Sequence, residues 1–176
     1  MNEQFFEGSS ASEHRVHRLN AFPINQEGEF VLYWMTASRR YHYNSALEHS
    51  ITLATELGKP LLVMETVSIR HTWSSDRILT FFVQGIIDNN AIFASNELTY
   101  IPWVETHKQT GNGLLRNLSQ RSCAVVIDDF PTYLPRDVMR QAAKFCRVRL
   151  DAIDSNGILP IRSEEHTSEL QSPMYL

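Results

Sequence analysis

Phe30-Val-Leu-Tyr-Trp-Met35 is a short, unbroken apolar run, rich in branched and aromatic side chains. Such a run predicts a strand buried on both faces, and a strand of that kind needs helices above and below it. The residues that follow supply them. Leu47, Ile51, Ala54 and Leu57 recur at helical spacing, and Gly58 with Pro60 closes that helix. Leu61-Leu-Val-Met64 reads as a second buried strand. Ser74-Ser-Asp76 caps a second helix carrying Ile78, Phe81, Phe82, Gly85 and Ile86 on one face. Leu98-Thr-Tyr-Ile101 is a third strand, ended by Pro102, and a short helix runs from Gly113 to Leu118. Cys123-Ala-Val-Val-Ile127 is a fourth strand. A helix opening near Pro135 bears Val138, Met139, Ala142 and Phe145, since proline suits a first turn. Arg147-Val-Arg-Leu-Asp-Ala152 is a fifth strand, half exposed by its alternation, and Asp154-Ser-Asn-Gly157 is a turn. Strands and helices that alternate in this way predict a doubly wound, Rossmann-like α/β domain. Its five-stranded parallel sheet has the order 3-2-1-4-5, with helices on both faces. Ligands would then bind beyond the carboxyl ends of the strands, at the switch point between strands 1 and 4.

Outside this core, residues 1–28 are polar and aperiodic and read as an N-terminal arm, leaving 29–162 as the α/β domain. Arg162-Ser-Glu-Glu-His-Thr-Ser-Glu-Leu-Gln-Ser172 resembles the read-through of a sequencing adapter, so residues 163–176 are expected to be a non-native tail. The net charge of −4 includes Glu164, Glu165 and Glu169 of that tail, which has no Lys or Arg, so the remainder carries about −1. Bulk charge therefore argues neither for nor against a nucleic-acid partner. Cys123 and Cys146 frame no disulfide scaffold or metal knuckle and are expected to be buried free thiols in a reducing cytoplasm. No apolar run is long enough to span a bilayer, and Met1–Ser12 lacks the layout of a secretion signal, so a cytoplasmic protein without a membrane partner is expected.

The switch-point rule singles out Met35-Thr-Ala-Ser-Arg-Arg40 and Asp128-Asp-Phe-Pro131. Arg39 and Arg40 suit a phosphate, a carboxylate, or the Asp128 and Asp129 pair itself. The two carboxylates suit a cation or a ligand hydroxyl, or else a purely structural role in which they cap a helix and hold the arginines. Gly111-Asn-Gly113 opens a helix but lacks the third glycine of a dinucleotide fingerprint. His14, His17, His42 and His49 have no partners at metal-ligand spacing, and no nucleophile elbow or phosphate loop occurs. Trp34, Trp73 and Trp103 lie in or beside apolar elements, where core packing is the expected role.

Several segments resemble the front domain of DNA photolyases, specifically the class II cyclobutane pyrimidine dimer group of the photolyase/cryptochrome superfamily. They are Arg18-Leu-Asn-Ala-Phe-Pro23, Tyr33-Trp-Met35 with Arg39-Arg40 and Asn44-x-x-Leu47, and Trp73-x-Ser-Asp-Arg77. Pro102-Trp-Val-Glu105, Gly113-Leu-Leu115, Asp128-Asp-Phe-Pro131 with Leu134-Pro-Arg136, and Asp154-Ser-Asn-Gly-Ile-Leu-Pro160 follow in family order. The resemblance implies a light-driven DNA-repair lyase in which reduced FAD lends an electron to a flipped-out pyrimidine dimer. In that family FAD and UV-damaged DNA are held by a helical domain with no counterpart here, so this fragment is expected to be inactive alone. The resemblance also implies a monomeric parent without a metal, and an optional antenna chromophore, a deazaflavin or a folate, near the strand ends. If such an antenna crevice is kept, Met35, Thr36, Arg39, Asp128 and Asp129 are the positions expected to form it: Met35 as apolar wall, the others as polar or anionic-group contacts. A cryptochrome-like photoreceptor and a stand-alone nucleotide or chromophore module are the alternatives.

Overall fold

The computed structural model describes residues 13–70, 74–108, 110–157 and 160. Trp73 and the tail 163–176 lie outside the described residues. After a 3-10 turn at Glu13–Arg15, six strands and four α-helices follow. They are β1 (Val16–Arg18), β2 (Phe30–Met35), α1 (Ser45–Leu57), β3 (Leu61–Val67), α2 (Asp76–Ser95) and β4 (Thr99–Val104). Then come α3 (Leu114–Arg121), β5 (Ser122–Asp129), α4 (Tyr133–Phe145) and β6 (Arg149–Asp154). The sheet order is β1-β6-β5-β2-β3-β4. Strands β2 to β6 are mutually parallel and stand in the expected 3-2-1-4-5 order, with β2 between β5 and β3.

The expected five-stranded parallel sheet is corrected to a mixed sheet of six, because β1 adds an antiparallel edge on β6. Periodicity does not reveal this strand: Val16-His-Arg18 is three residues long and has no apolar alternation. Tertiary hydrogen bonds hold it instead. Leu19 N–H donates to the Leu150 carbonyl at 2.8 Å, and the Asn20 amide donates to the Val148 carbonyl at 2.9 Å. The Arg15 guanidinium reaches the carbonyls of Asp154 and Asn156, both at 3.2 Å, across the turn that ends β6.

Two further expectations change. Strand β4 runs through Pro102 rather than stopping there, because it lies at the sheet edge where a missing N–H breaks no ladder. Strand β6 is buried along nearly its whole length rather than half exposed, since β1 covers its outer side and Asp151 is paired within the sheet.

Side-chain alternation along β2 feeds two cores. Val31, Tyr33 and Met35 pack with Leu47, Leu53 and Ala54 of α1 and with Phe93 of α2. Leu32 packs with Val125, Ile127 and Leu150 against Met139 and Ala142 of α4. Each fully buried Leu or Ile contributes about 2–3 kcal/mol of transfer free energy. Cys123 and Cys146 are both free and buried. Helix α1 starts where the Asn44 side chain accepts from Leu47 N–H at 3.0 Å and stops at Gly58, whose φ of 61° is left-handed.

Candidate functional site

Strands β2 and β5 are neighbours whose chains leave in opposite directions, so a crevice opens beyond their carboxyl ends. Asp128, 1% exposed, organises one wall of it. Its Oδ2 accepts the N–H groups of Thr36 at 2.8 Å, Ala37 at 2.7 Å and Ser38 at 3.0 Å. Its Oδ1 accepts the Tyr33 hydroxyl at 2.8 Å. Asn44 donates to the Ser38 carbonyl at 3.0 Å, to the Arg40 carbonyl at 2.9 Å and to the Tyr33 oxygen at 3.1 Å. The loop after β2 is thereby held from both sides. Burial pushes the Asp128 carboxyl above its ordinary range, and the backbone and Tyr33 donors oppose that push. Burial and the adjacent Asp128 carboxylate drive the Tyr33 hydroxyl well above its usual value.

Arg39 forms the second polar element. Its Nη1 lies 3.1 Å from Glu65 Oε1, its Nη2 donates to the Thr66 carbonyl at 2.8 Å, and its guanidinium sits 4.4 Å from the Phe82 ring centroid. Glu65 is 1% exposed and also accepts from Asn89 at 3.0 Å and from the Tyr100 hydroxyl at 2.6 Å. Burial and then Glu65 raise the Tyr100 hydroxyl far above its ordinary value. Arg39 therefore neutralises a buried carboxylate and braces the crevice wall.

A cavity of about 630 Å³ lies over these groups, between the first turns of α2 and α4. Its walls are mainly apolar: Trp34, Val67, Ile78, Leu79, Phe82, Phe130 and Val138. The hydroxyl-bearing Thr36, Thr66, Ser68, Ser74 and Thr132 also line it. Arg39 is the one charged residue among the described lining. Large apolar walls with a few convergent polar groups are the usual make-up of a small-molecule site.

Of the residues singled out from sequence, Thr36 and Arg39 line this cavity. Met35 is fully buried in the core beneath α1, and Asp128 is enclosed by the loop it holds. By strand alternation Asp129 faces the opposite side of the sheet from Asp128, and its carbonyl accepts the Asn156 side chain at 2.8 Å. Neither aspartate is paired to Arg40, which donates to the Tyr43 carbonyl at 3.1 Å. Sequence reasoning did not place Trp34 and Phe82 at a site, and it included Phe130 only as part of the segment after the fourth predicted strand, without a role of its own. Trp34 sits at the carboxyl end of β2 with its indole N–H 3.0 Å from Thr66 Oγ1, and strand-end position was its available signal. Phe82 and Phe130 converge from separate segments, which no local pattern reports. Among the described residues, no cluster of three or more His, Cys, Asp or Glu could hold a metal ion.

No family model matches the chain. It is 25% identical over 155 residues to a deoxyribodipyrimidine photo-lyase from Methanothermobacter thermautotrophicus, a match that covers 88% of this chain and 34% of that protein. The chain thus spans about a third of the length of this curated relative. Among solved structures, it is similar to one described as a universal stress protein from Pseudomonas aeruginosa UCBPP-PA14, with a TM-score of 0.54 and 13% identity over 90% of this chain and 56% of that one. It is similar also to a functionally unknown protein from Pseudomonas aeruginosa PAO1, with a TM-score of 0.54 and 12% identity over 88% of this chain and 55% of that one. At these identities the structures share the α/β fold, whereas the sequence similarity is to a photolyase.

Proposed function

We propose that the chain is the N-terminal α/β domain of a photolyase-type, light-driven DNA-repair lyase whose flavin and lesion sites lie in a part of the parent outside this sequence. One observation carries the reading: similarity to the photolyase extends over 88% of the chain, so it spans most of the domain rather than one motif. No cation among the described lining is left over for the pyrophosphate of FAD, because Arg39 is already paired with Glu65, and in the family that the chain resembles the flavin belongs to the helical domain. The 176-residue chain is accordingly expected to bind no FAD and to repair no dimers, and damaged DNA is a partner of the parent alone.

The cavity fits an antenna-type chromophore better. A deazaflavin or a folate presents a flat ring that Trp34 and Phe82 can pack against, with the Thr36 and Thr66 hydroxyls available for its polar edge. Such a group would supply light absorption. The protein's part is to exclude water and orient the ring.

The decisive experiment is to sequence the locus past codon 162. An open frame several hundred codons longer is expected, and an in-frame stop there overturns the reading. A dimer-repair assay on that longer protein separates a lyase from a cryptochrome-like photoreceptor. The fold shared with the Pseudomonas structures favours one rival, a stand-alone nucleotide or chromophore module, and this rival predicts the stop.

A further inference from the structure

A net charge near zero conceals a separation of charge across the sheet. Helices α1 and α2 pack on one face of it, α3 and α4 on the other. On the first face, α1 carries Glu48 and Glu56 with no Lys or Arg, and α2 carries Asp76 and Asp88 against Arg77 alone. Phe81 and Ile87 also bare apolar side chains there, on two separate flanks of α2. On the second face, α3 and α4 carry Arg116, Arg121, Arg136, Arg140 and Lys144 against a single acid, Asp137, and Arg147 follows just after α4. All six cations are exposed. Arg136, Arg140 and Lys144 recur every four residues, so they form one stripe along α4 with about 6 Å between neighbours. Met139 and Ala142 of the same helix turn the other way, into the core. Arg121 is paired with Glu29, and Arg140 loosely with Asp137 at 3.6 Å. Arg116, Arg136, Lys144 and Arg147 form no ion pair with a described residue. Arg116 sits 4.8 Å from the Phe145 ring centroid and Arg147 5.5 Å from that of Phe22, contacts that use up none of the guanidinium N–H donors.

We propose that the α3–α4 face binds the phosphate backbone of duplex nucleic acid, without regard to base sequence or damage. The proposal stands on the charge separation and not on the reading above. A lesion makes no difference to this surface, so selection of damaged DNA stays with the parent. A line of cations that is mainly arginine suits phosphate oxygens, which the guanidinium fork meets two at a time. Other partners fit less well. Among the described residues, Phe145 is the one large apolar side chain exposed on these two helices, and it lies under Arg116. Bases of a single strand therefore lack a platform to stack on, and a bilayer lacks an apolar face to receive. An acidic protein would need apolar or aromatic anchors at the centre of its contact, and this face supplies none.

Fluorescence anisotropy of a labelled, undamaged duplex of about 20 base pairs, titrated with the 176-residue chain, tests this. If Arg136, Arg140, Lys144 and Arg147 each meet a phosphate, log K falls against log salt with a slope of about −3.6, a roughly 150-fold weakening between about 50 and 200 mM. The triple variant Arg136→Gln/Arg140→Gln/Lys144→Gln should reduce the slope to about −0.9, whereas Arg77→Gln on the opposite face leaves it unchanged. Lys144→Gln alone should lower it by about 0.9, which decides the matter even if the triple variant does not fold. Absence of duplex binding at about 50 mM salt, or an unchanged slope in Lys144→Gln and in the folded triple variant, overturns the proposal. Binding roughly ten-fold or more tighter to a duplex with a pyrimidine dimer would make the surface a lesion reader. Binding to phosphatidylserine vesicles and not to duplex would assign it to a lipid surface. Binding to polyglutamate at least as tightly as to duplex would assign it to an acidic protein. Each of these three results overturns the proposal as well.

Discussion

At Asp128 a single carboxylate with almost no solvent contact meets three backbone N–H groups and the Tyr33 hydroxyl. Asp128→Asn turns one acceptor into an amide N–H that faces or crowds those donors, while the volume hardly changes. The expected loss is about 3 kcal/mol, the scale of buried donors left without an acceptor. Urea unfolding measures it, and a loss within experimental error would show that the loop does not depend on this carboxylate. The identity of Asp128 as a notable residue was legible from its place after a buried strand. Its role was not, because three of its partners are backbone amides from a loop distant in sequence, and amides carry no residue-type signature. Arg39 is similar: its type announced anion binding, but the anion is Glu65, an internal side chain brought close by the pairing of β2 with β3.

Among the elements, two turns ending in glycine differ in what they require. Gly58 closes α1 in a left-handed conformation, and a Cβ there meets nothing within 4 Å. Gly58→Ala should therefore cost only the backbone term, about 1 kcal/mol. At Gly28 a Cβ would lie 2.4 Å from the Cys123 nitrogen and 2.6 Å from the Ser122 carbonyl carbon, both backbone atoms at the start of β5. Gly28→Ala must displace that strand and should cost more, about 2–3 kcal/mol. Denaturant midpoints of the two variants order the effects, and equal losses would refute the close approach. In the sequence Gly58 read as the close of a helix, and Gly28 only as the last residue of the N-terminal arm. Only assembly of the sheet separates a glycine needed for its φ from one needed for its lack of a side chain. Helix α2 teaches a related lesson. Its apolar spacing predicted a buried face, but spacing cannot say how much of a helix extends past the strands it covers.

For the molecule as a whole, β1, β6 and α1 meet at Asp151, which is fully buried. Burial alone would raise its carboxyl, but His49 at 3.4 Å and Arg149 at 2.8 Å together pull it below the ordinary range. A carboxyl lowered on folding contributes stability that is present above its unfolded value, about 3.9, and is lost as pH falls through the folded one. Asp128 acts in the opposite sense: its raised carboxyl favours the folded state in acid and ceases to do so as pH rises. Stability measured by urea unfolding should therefore fall steeply below about pH 4 in the wild type and less steeply in Asp151→Asn; parallel curves would exclude this pairing as the cause. The sequence by itself determined the alternation of strands and helices, the central position of β2 and the order of the parallel strands, since hydrophobic period and right-handed crossovers are local rules. Tertiary structure alone decided the sixth strand, the walls of the cavity and the bare flanks of α2. Each depends on which distant segments meet, and a contact between such segments leaves no periodic trace in either of them.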